Sequence, residues 1–297
     1  MFRKAERKKA KLRLALCAPS GAGKTYSALL LAKGLGGKVV LLDTENGSGD
    51  LYADLMDYDI ATISGSFEPA KYIDIIKKAE KAGYDTIIID SLSHAWNAEG
   101  GILDTQSKIE QSSNSKNGYF AWRNVTPLHN ALVTAILQSK MHVICTMRTK
   151  TAYEMQTGTN GKLSPVKIGL APIQRDGMEY EFTVVLDVCM DNHLCSASKD
   201  RTRLFDGKHF VITEDTGVDL LKWLNDGVSQ EQYELNKFNE LSEVMRQSKS
   251  LEELKSSYQN AATQLIDTIY YDQIVSIKDK LKAFIEPEFK GDDSGQP

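Results

Sequence analysis

The sequence predicts an α/β fold built on a doubly wound, mostly parallel sheet. Apolar runs alternate with segments of helical spacing up to about residue 225, and several of these runs are apolar throughout, as in strands covered on both faces. With 297 residues and 41% hydrophobic content, the chain can bury the core of one large or two modest domains. Strands are predicted at residues 12–17, 39–43, 60–64, 86–90, 142–147, 182–188, 193–198 and 210–213, and helices at 24–33, 69–82 and 120–138.

A glycine-rich loop follows the first predicted strand and leads into the first predicted helix. Residues 18–25, APSGAGKT, match the phosphate-binding pattern G-x-x-x-x-G-K-[ST], with alanine in place of the first glycine. Such glycines let backbone N–H groups curl around a phosphate at a helix N-terminus, where the helix dipole also favours negative charge. We expect Lys24 to reach the β- and γ-phosphates of ATP and Thr25 to ligate Mg²⁺. The predicted nucleotide-binding residues are Pro19, Ser20, Gly21, Ala22, Gly23, Lys24, Thr25 and Tyr26.

Two acidic residues follow later strands that would end at the same edge of the sheet. Asp90 ends the apolar run in YDTIIID, where its carboxylate can hold the metal ion through water. Many P-loop ATPases place a glutamate directly after this aspartate to orient the attacking water, but the next residue here is Ser91. Glu45, two residues beyond the strand end at Asp43, is the predicted catalytic base. The alternative is that Asp43 and Glu45 only cap a loop.

Two stretches interrupt the alternation of strands and helices. Residues 105–118, TQSKIEQSSNSKNG, are polar and of low complexity, and residues 149–178 form a long segment rich in Gly, Thr, Lys and Arg. Long loops inside a compact domain are usually functional or disordered. We therefore expect both stretches to be loops.

The composition changes again after residue 226. Residues 231–284 show helical spacing with a capping box at Ser250 and Glu253, and the segment KGDDSGQP follows near the C-terminus. The sequence therefore predicts three parts: an ATPase domain at 1–226, a helical C-terminal module at 227–288 and a disordered tail at 289–297.

Bulk properties restrict the expected partners and location. The formal net charge of −4 gives no overall attraction to nucleic acid or membrane, so DNA affinity would need local basic patches. No stretch approaches the roughly 20 apolar residues of a membrane span. The start, MFRKAERKKAKLRLAL, mimics a signal peptide, but its short apolar run passes into the glycine loop, so we expect no cleavage. The cysteines show no C-x-x-C pair and the histidines no ligand spacing, which indicates a reducing cytoplasm and no zinc site.

Several motifs together resemble those of RecA-like P-loop ATPases. The glycine loop, LLDTE, IIIDS and a K-x-R strand end in SASKDRTRLF carry this resemblance. Further phrases are similar to the phage- and prophage-encoded AAA family ATPases of recombination modules, some of which act in single-strand annealing: DSLSHAWNAEGG, AWRNVTPLHNALVTAIL, HVICTMRTKTAY and APIQRDGMEYEF. The resemblance covers residues 2–225, and the helical module more loosely resembles C-terminal modules of phage recombination proteins.

This resemblance implies roles for three further positions. In RecA-like proteins the glutamate after the second strand activates water, and Glu45 matches it. A K-x-[KR] pair reaches the γ-phosphate of the neighbouring subunit, and Lys199 and Arg201 match that spacing. A cation supplied in this way neutralises charge in the transition state and couples hydrolysis to assembly into a ring or filament. The alternative for Lys199 and Arg201 is a solvated basic strand end.

Basic residues also follow the strand MHVICTM. Arg148 lies where RecA-like proteins place a polar γ-phosphate sensor, usually glutamine or asparagine, and it could equally contact DNA. The segment after it occupies the place of a RecA-type DNA-binding loop, where basic residues and Tyr153 suit single-stranded DNA. Gln174 and Arg175 could instead belong to the nucleotide site or a subunit joint. The predicted DNA-binding residues are Arg148, Lys150, Lys162, Lys167 and Arg175.

The expected function is that of a cytoplasmic, Mg-dependent ATPase, stimulated by DNA, that forms homo-oligomers and acts on single-stranded DNA in phage-type recombination or annealing. One alternative is a small-molecule phosphotransferase, for which residues 149–178 would be a lid, although that segment is poor in arginine. Another is a nucleotide-gated adaptor whose helical module recruits a protein partner. His94, Trp96, Trp122 and His129 are interpreted as packing residues.

Overall fold

The structure, a computed structural model, describes residues 5–112, 118–157 and 163–286. The chain divides into two compact units, one of residues 11–224 and one of residues 1–10 together with 225–297. The segment before Lys11 thus groups with the C-terminal helices, whereas the sequence placed it in the ATPase domain. Backbone hydrogen bonds explain this grouping: Lys9 N donates to Val228 O at 3.0 Å, and Val228 N donates to Arg7 O at 3.1 Å.

The larger unit is built on a mixed sheet. Its described strands form one nine-stranded sheet in the order β3-β2-β4-β5-β1-β7-β8-β9, and β6 pairs with the far half of β5. The strands are β1 (Arg13–Ala18), β2 (Val39–Asp43), β3 (Asp59–Thr62), β4 (Thr86–Asp90), β5 (His142–Thr157), β6 (Leu163–Pro172), β7 (Val184–Val188), β8 (Leu194–Asp200) and β9 (His209–Val211). The architecture confirms the predicted α/β class with a mostly parallel sheet.

Parallel pairing brings distant parts of the sequence to one edge of this sheet. Neighbouring strands run parallel along the order β3-β2-β4-β5-β1-β7, so the carboxyl ends of these six strands lie at the same edge. In register, Asp43 lies opposite Asp90, and Ala18 lies opposite Arg148. Ligands of open α/β sheets bind at this edge, so the strand order positions a candidate site there.

Helices cover both faces of the sheet. The described helices of this unit are α1 (Lys24–Leu35), α2 (Pro69–Lys81), α3 (His94–Asn97), α4 (Ile102–Ser112), α5 (Gly118–Gln138) and α6 (Glu214–Asn225). Leu14 and Leu16 of β1 pack in one apolar layer with α1 and α6, while Ala15 and Cys17 pack in the other with α2 and α5. This alternation is the two-residue period of a strand buried on both faces.

Two glycines allow α1 and α6 to touch through their backbones. A Cβ atom on Gly34 would lie 2.1 Å from Glu214 O and 2.8 Å from the Cα of Gly217. No side chain fits at that distance, so glycine is required at position 34 for α6 to close this face of the sheet.

Residues 149–157 and 163–172 form two antiparallel strands, termed the β5–β6 hairpin, and the prediction of a loop there was wrong. β5 continues beyond Arg148 to Thr157, and β6 returns antiparallel with Thr149 opposite Pro172. At about 3.3 Å per residue, this extension is on the order of 30 Å long. The stretch TKTAYEMQT places β-branched, aromatic or Met residues at alternate positions, a strand pattern that the high content of Thr, Gly and Lys obscured. Residues 158–162 lie outside the described part of the chain.

The polar stretch at 105–118 is also not simply a loop, because α4 extends to Ser112 and α5 begins at Gly118. Local contacts stabilise α4. Asp104 accepts a hydrogen bond from Gly100 N at 2.8 Å and pairs with Lys108 one turn later at 2.7 Å. Residues 113–117 are not described.

The described helices of the smaller unit are α7 (Gln230–Arg246), α8 (Leu251–Leu265) and α9 (Tyr271–Ile285). They bury an apolar core that includes Leu241, Met245, Leu254, Leu265 and Ile274. The predicted cap of α8 is confirmed, since Ser250 Oγ accepts a hydrogen bond from Glu253 N at 3.2 Å. The carboxylate of Glu253 accepts from Lys249 N at 2.7 Å instead of closing the box on Ser250.

Two basic residues of the N-terminal segment make contacts within this unit. Arg7 pairs with Asp226 at 3.1 Å, and the ammonium group of Lys8 lies 3.2 Å from the ring centroid of Tyr233. None of the helices in the described ranges combines the length and apolar character that crossing a membrane requires.

Candidate functional site

The glycine loop between β1 and α1 has the backbone shape of a phosphate-binding loop. Gly21 and Gly23 have φ angles of 81° and 85°, which side-chain-bearing residues rarely adopt. α1 begins at Lys24, so its first N–H groups face the loop. Tyr26 lies in the first turn; the residue is 43% exposed, and its ring is edge-on to that of Tyr52. All the predicted nucleotide-binding residues therefore lie in this loop or the adjoining first turn.

Lys24 lies along the loop. Its Nζ donates to Pro19 O at 2.9 Å and to Ala18 O at 3.2 Å, and the residue is only 8% exposed. Burial lowers the pKa of Lys24, while the negative charges of Asp90 and Glu45 raise it. The ammonium group is thus held beside the loop, and a phosphate anion would compensate part of its desolvation cost.

Asp90 is buried at the end of β4 and contacts two hydroxyl groups. Thr25 Oγ1 donates to Asp90 Oδ2 at 2.5 Å, and Thr146 Oγ1 of β5 donates to Asp90 Oδ1. Burial raises the pKa of Asp90, and the hydrogen bonds from Thr146 and Thr25 oppose that rise. The predicted neighbours Thr25 and Asp90 are therefore in direct contact.

These two groups fit a magnesium ion. Mg²⁺ prefers oxygen ligands and is commonly held by one or two protein oxygens together with phosphate oxygens and waters. The hydroxyl of Thr25 and the carboxylate of Asp90 supply hard oxygen donors beside the phosphate-binding loop. A divalent cation would also offset the cost of burying the Asp90 carboxylate, because it favours the charged form.

Asp43 and Glu45, for which the sequence left open a role in capping the loop after β2, have different surroundings. Asp43 is fully buried, and its carboxylate accepts from Glu45 N at 2.5 Å and from Gly49 N at 3.2 Å. Asp43 therefore shapes the turn after β2. The side chain of Glu45 takes no part in capping this turn.

The carboxylate of Glu45 forms an ion pair with Arg148 at the neighbouring part of the edge. Arg148 Nη2 lies 2.9 Å and Nε 3.0 Å from the same oxygen, Oε1 of Glu45. Backbone N–H of Arg148 donates to Ser93 Oγ at 2.9 Å, which ties this part of β5 to the segment after Asp90. Arg148 therefore lies beside Glu45 at the phosphate-loop edge.

Lys199 and Arg201 lie away from this edge. β8 runs antiparallel to β7, so Lys199 pairs opposite Val185, which in turn pairs with Ala15 of β1. Arg201 N bonds to Thr183 O, farther still from the loop. At about 3.3 Å per residue, the two backbones are on the order of 10 Å or more from Ala18, toward the opposite edge.

The amine of Lys199 is also engaged locally. Its Nζ donates to the backbone carbonyls of Tyr180 and Glu179. Burial lowers the pKa of Lys199, and the charge of Arg201 acts in the same direction. This pair is therefore not positioned to contact phosphates bound to its own chain.

The predicted DNA-binding residues are spread along the β5–β6 hairpin and its base. Lys150 is exposed opposite Ala171, and Lys167 is in register with Tyr153. Arg175 is half-buried just after β6, where its N–H donates to Gln174 Oε1 at 2.9 Å. Lys162 lies outside the described residues. Of this set, Arg148 is the residue that contacts Glu45 at the phosphate-loop edge.

Gln174 is buried at the base of the hairpin and connects it to the segment after β4. Its Nε2 donates to Leu92 O at 3.3 Å. Leu92 N in turn donates to Thr146 O at 2.9 Å. The hairpin base is thus bonded to the residues that surround Asp90.

Several residues of this site were not predicted from the sequence. Thr44 Oγ1 lies 2.7 Å from His94 Nδ1 and accepts from Ser91 N at 2.8 Å. His94 packs against Phe67 as expected of a packing residue, with ring centroids 5.1 Å apart, but it also borders the site. Thr146 was missed because its contact with Asp90 requires knowledge of the strand order. The position of Thr44, between Asp43 and Glu45, was the available signal.

The other aromatic residues pack as expected. Trp96 stacks with Trp122 at 6.0 Å between ring centroids and meets His129 edge-on at 5.7 Å. Burial lowers the pKa of His129, which is consistent with a neutral ring packed beside Trp96.

Comparison with known proteins agrees with this geometry. Residues 10–217 match the family model described as an AAA domain. The chain belongs to this family. Membership indicates an AAA-type P-loop ATPase, a class of nucleotide-binding enzymes. No curated protein matches the chain closely enough to count as a relative.

Proposed function

We propose that this AAA domain protein binds Mg·ATP, hydrolyses it with Glu45 as the base, and couples hydrolysis to action on single-stranded DNA in a homo-oligomer. The observation that carries the hydrolytic part is the placement of the Glu45 carboxylate at the edge that holds Lys24, Thr25 and Asp90. A carboxylate there can accept a hydrogen bond from a water molecule that faces the terminal phosphate.

Different residues of this chain have separate roles in phosphoryl transfer. Backbone N–H groups of the loop and the start of α1 bind phosphate oxygens, and Lys24 neutralises charge on the β- and γ-phosphates. Thr25 and Asp90 would hold Mg²⁺, which supplies charge neutralisation at the phosphates when bound. Glu45 orients the water through Oε2, because both contacts from Arg148 are to Oε1.

A RecA-like trans arrangement accounts for Lys199 and Arg201. Both residues lie away from the phosphate loop of their own chain, so a contact with bound nucleotide would have to be made to a second copy. Such a contact makes hydrolysis depend on assembly into a ring or filament. The hydrogen bonds of Lys199 to Glu179 and Tyr180 would have to exchange when the neighbour binds.

The β5–β6 hairpin is the proposed DNA-binding element. The chain has a formal net charge of −4, so DNA affinity depends on local groups of basic residues. The basic residues of the hairpin would neutralise phosphates of a single strand. The hydrogen bond from Gln174 to Leu92 connects the hairpin base to the segment beside the nucleotide site. Differential contacts in the two nucleotide states would therefore change DNA affinity.

ATP hydrolysis measured with and without single-stranded DNA tests this proposal. The parent should hydrolyse ATP faster with DNA, and Lys24→Ala should abolish turnover. Replacing Lys150, Lys162 and Lys167 with alanine should remove the stimulation while leaving basal hydrolysis intact. A matched control replaces the exposed lysines Lys77, Lys81 and Lys208, which changes the net charge equally away from the hairpin.

The salt dependence of DNA binding gives a second measurement. Log affinity should fall with log salt by roughly 0.7 per phosphate contacted, and the hairpin variant should have a shallower slope than the control variant. Equal slopes in both variants would contradict the hairpin assignment. Phosphate transfer from ATP to a small acceptor, without DNA stimulation, would favour the phosphotransferase, and binding without turnover would favour the adaptor.

A further inference from the structure

His193 contacts the phosphate loop from the turn between β7 and β8. Its Nδ1 lies 3.1 Å from Ala22 O, and the ring lies 3.4 Å from where a Cβ atom on Gly23 would be. His193 is exposed, and both it and Asn192 have positive φ angles, of 52° and 57°. The turn thus presents the imidazole directly beside the loop and the start of α1.

The contact with Ala22 fixes which ring nitrogen carries a proton. A backbone carbonyl oxygen only accepts hydrogen bonds, so Nδ1 of His193 must be the donor. In the neutral ring this leaves Nε2 with its lone pair as an acceptor. His193 therefore offers an acceptor to a ligand that lies along the loop.

The strand order determines which part of a nucleotide would lie near His193. Glu45 follows β2, Asp90 ends β4 and Arg148 lies within β5, and all three strands are on one side of β1. The His193 turn follows β7 on the other side of β1. The terminal phosphate must face Glu45 for water to attack it. The remainder of the nucleotide, which ends in the sugar and the base, then extends from the loop toward β7.

We propose that His193 contacts the purine base and that Nε2 accepts a hydrogen bond from the exocyclic amine of adenine. Adenine carries an N–H donor at position 6, whereas guanine carries an oxygen acceptor there. With guanine, the base oxygen at position 6 would face Nε2 of His193. Both are acceptors, so both would lack a hydrogen-bond donor, which costs binding free energy. His193 thereby selects ATP over GTP, an inference that rests on the proposed binding of ATP to the loop.

Affinity measurements with two ligands and two variants test this contact. Purine riboside triphosphate has the same ring system as ATP but lacks the 6-amino group. The parent should bind ATP about tenfold more tightly, the value of one hydrogen bond. In His193→Gly the two affinities should become equal, while glycine accepts the positive φ of this position.

Asn192→Gly is the matched control, because it removes the neighbouring side chain at the same backbone conformation and keeps the imidazole. It should retain the tenfold preference for ATP. Retention of that preference in His193→Gly, or no preference in the parent, would overturn the base contact while leaving ATP binding established. Failure of the parent to bind any of these triphosphates would instead contradict the nucleotide site and, with it, this inference.

Discussion

Arg148 contacts a single oxygen of Glu45, with Nη2 at 2.9 Å and Nε at 3.0 Å from Oε1. Among the described residues, Oε2 of Glu45 has no hydrogen-bond partner, and it can therefore accept a bond from water. The arginine holds the carboxylate in place through Oε1. The pair joins two residues that are 103 positions apart in the sequence.

Removing either member of this pair should lower turnover more than ATP affinity. Glu45→Gln should abolish hydrolysis and leave ATP binding nearly unchanged, because an amide cannot accept a proton from the attacking water. Arg148→Ala should lower kcat by about 10²- to 10³-fold, the usual cost of losing one preorganised electrostatic contact. Single-turnover hydrolysis and equilibrium binding of ATP measure the two effects separately.

Arg123→Ala provides the control for that experiment, because Arg123 is an exposed arginine on α5. It should leave both quantities unchanged. Faster hydrolysis in Arg148→Ala would contradict a positioning role and indicate that the pair restrains Glu45.

Asp90→Asn should stabilise the nucleotide-free protein near neutral pH while abolishing Mg-dependent hydrolysis. Burial raises the pKa of Asp90, so its contribution to stability is present below the unfolded-state pKa and is lost as pH rises through the folded-state pKa. The variant should therefore melt a few degrees higher at pH 8, and the difference should shrink toward pH 5.

Thermal unfolding of Asp57→Asn, an exposed aspartate, is the comparison for Asp90→Asn. Its Tm should follow that of the parent at both pH values. A lower Tm for Asp90→Asn at pH 8 would mean that the ionised carboxylate stabilises the apo fold through Thr25 and Thr146.

Mixing two inactive variants should restore activity if the active site is shared between subunits. Glu45→Gln lacks the base, and the double variant Lys199→Ala/Arg201→Ala lacks the proposed trans cations. In mixed oligomers some interfaces combine an intact base with intact cations, so ATP hydrolysis should partly recover. If size-exclusion chromatography shows co-assembly but activity does not recover, the result would count against the trans role. The control variant Lys77→Ala/Lys81→Ala should be active alone.

His142 should make the protein sensitive to mild acid. Burial lowers its pKa to about 4, with the charges of Lys11 and Arg13 acting in the same direction. Its stabilising contribution is complete above the unfolded-state value near 6.5 and is lost as pH falls toward about 4, on the order of 3 kcal/mol at most. Urea unfolding between pH 7 and pH 4 measures this loss.

His142→Asn should flatten that pH dependence, because asparagine cannot take up the proton and still offers an acceptor to Leu12 N, which bonds Nδ1 at 3.1 Å. His209→Asn replaces an exposed histidine and should keep the parental profile. An unchanged profile in His142→Asn would assign the acid sensitivity to other groups.

Residues 11–224 should fold and hydrolyse ATP without the rest of the chain. Lys24, Glu45 and Asp90 all belong to this unit, which has its own apolar layers on both faces of the sheet. Circular dichroism, cooperative unfolding and ATPase rate are the measurements. An insoluble product would indicate that the segment before Lys11 or the C-terminal helices complete the core.

Local patterns in the sequence were sufficient to predict much of the fold. The predicted bounds of β2 and β4 agree with the structure at both ends, because their apolar runs end abruptly in Asp43 and Asp90. The prediction failed for the β5–β6 hairpin, because the high content of Thr, Gly and Lys obscured the alternating strand pattern in TKTAYEMQT.

By itself, the sequence determined the glycine loop, the start of α1 at Lys24 and the acidic residues at strand ends, since each depends on neighbours a few positions away. The tertiary structure alone decided which strand ends are adjacent. Placing β5 between β1 and β4 brings Thr146 to Asp90 and Arg148 to Glu45, and it leaves His193 on the other side of the loop. Strand order is fixed by packing of the whole sheet between two helical layers, which no short stretch of sequence encodes.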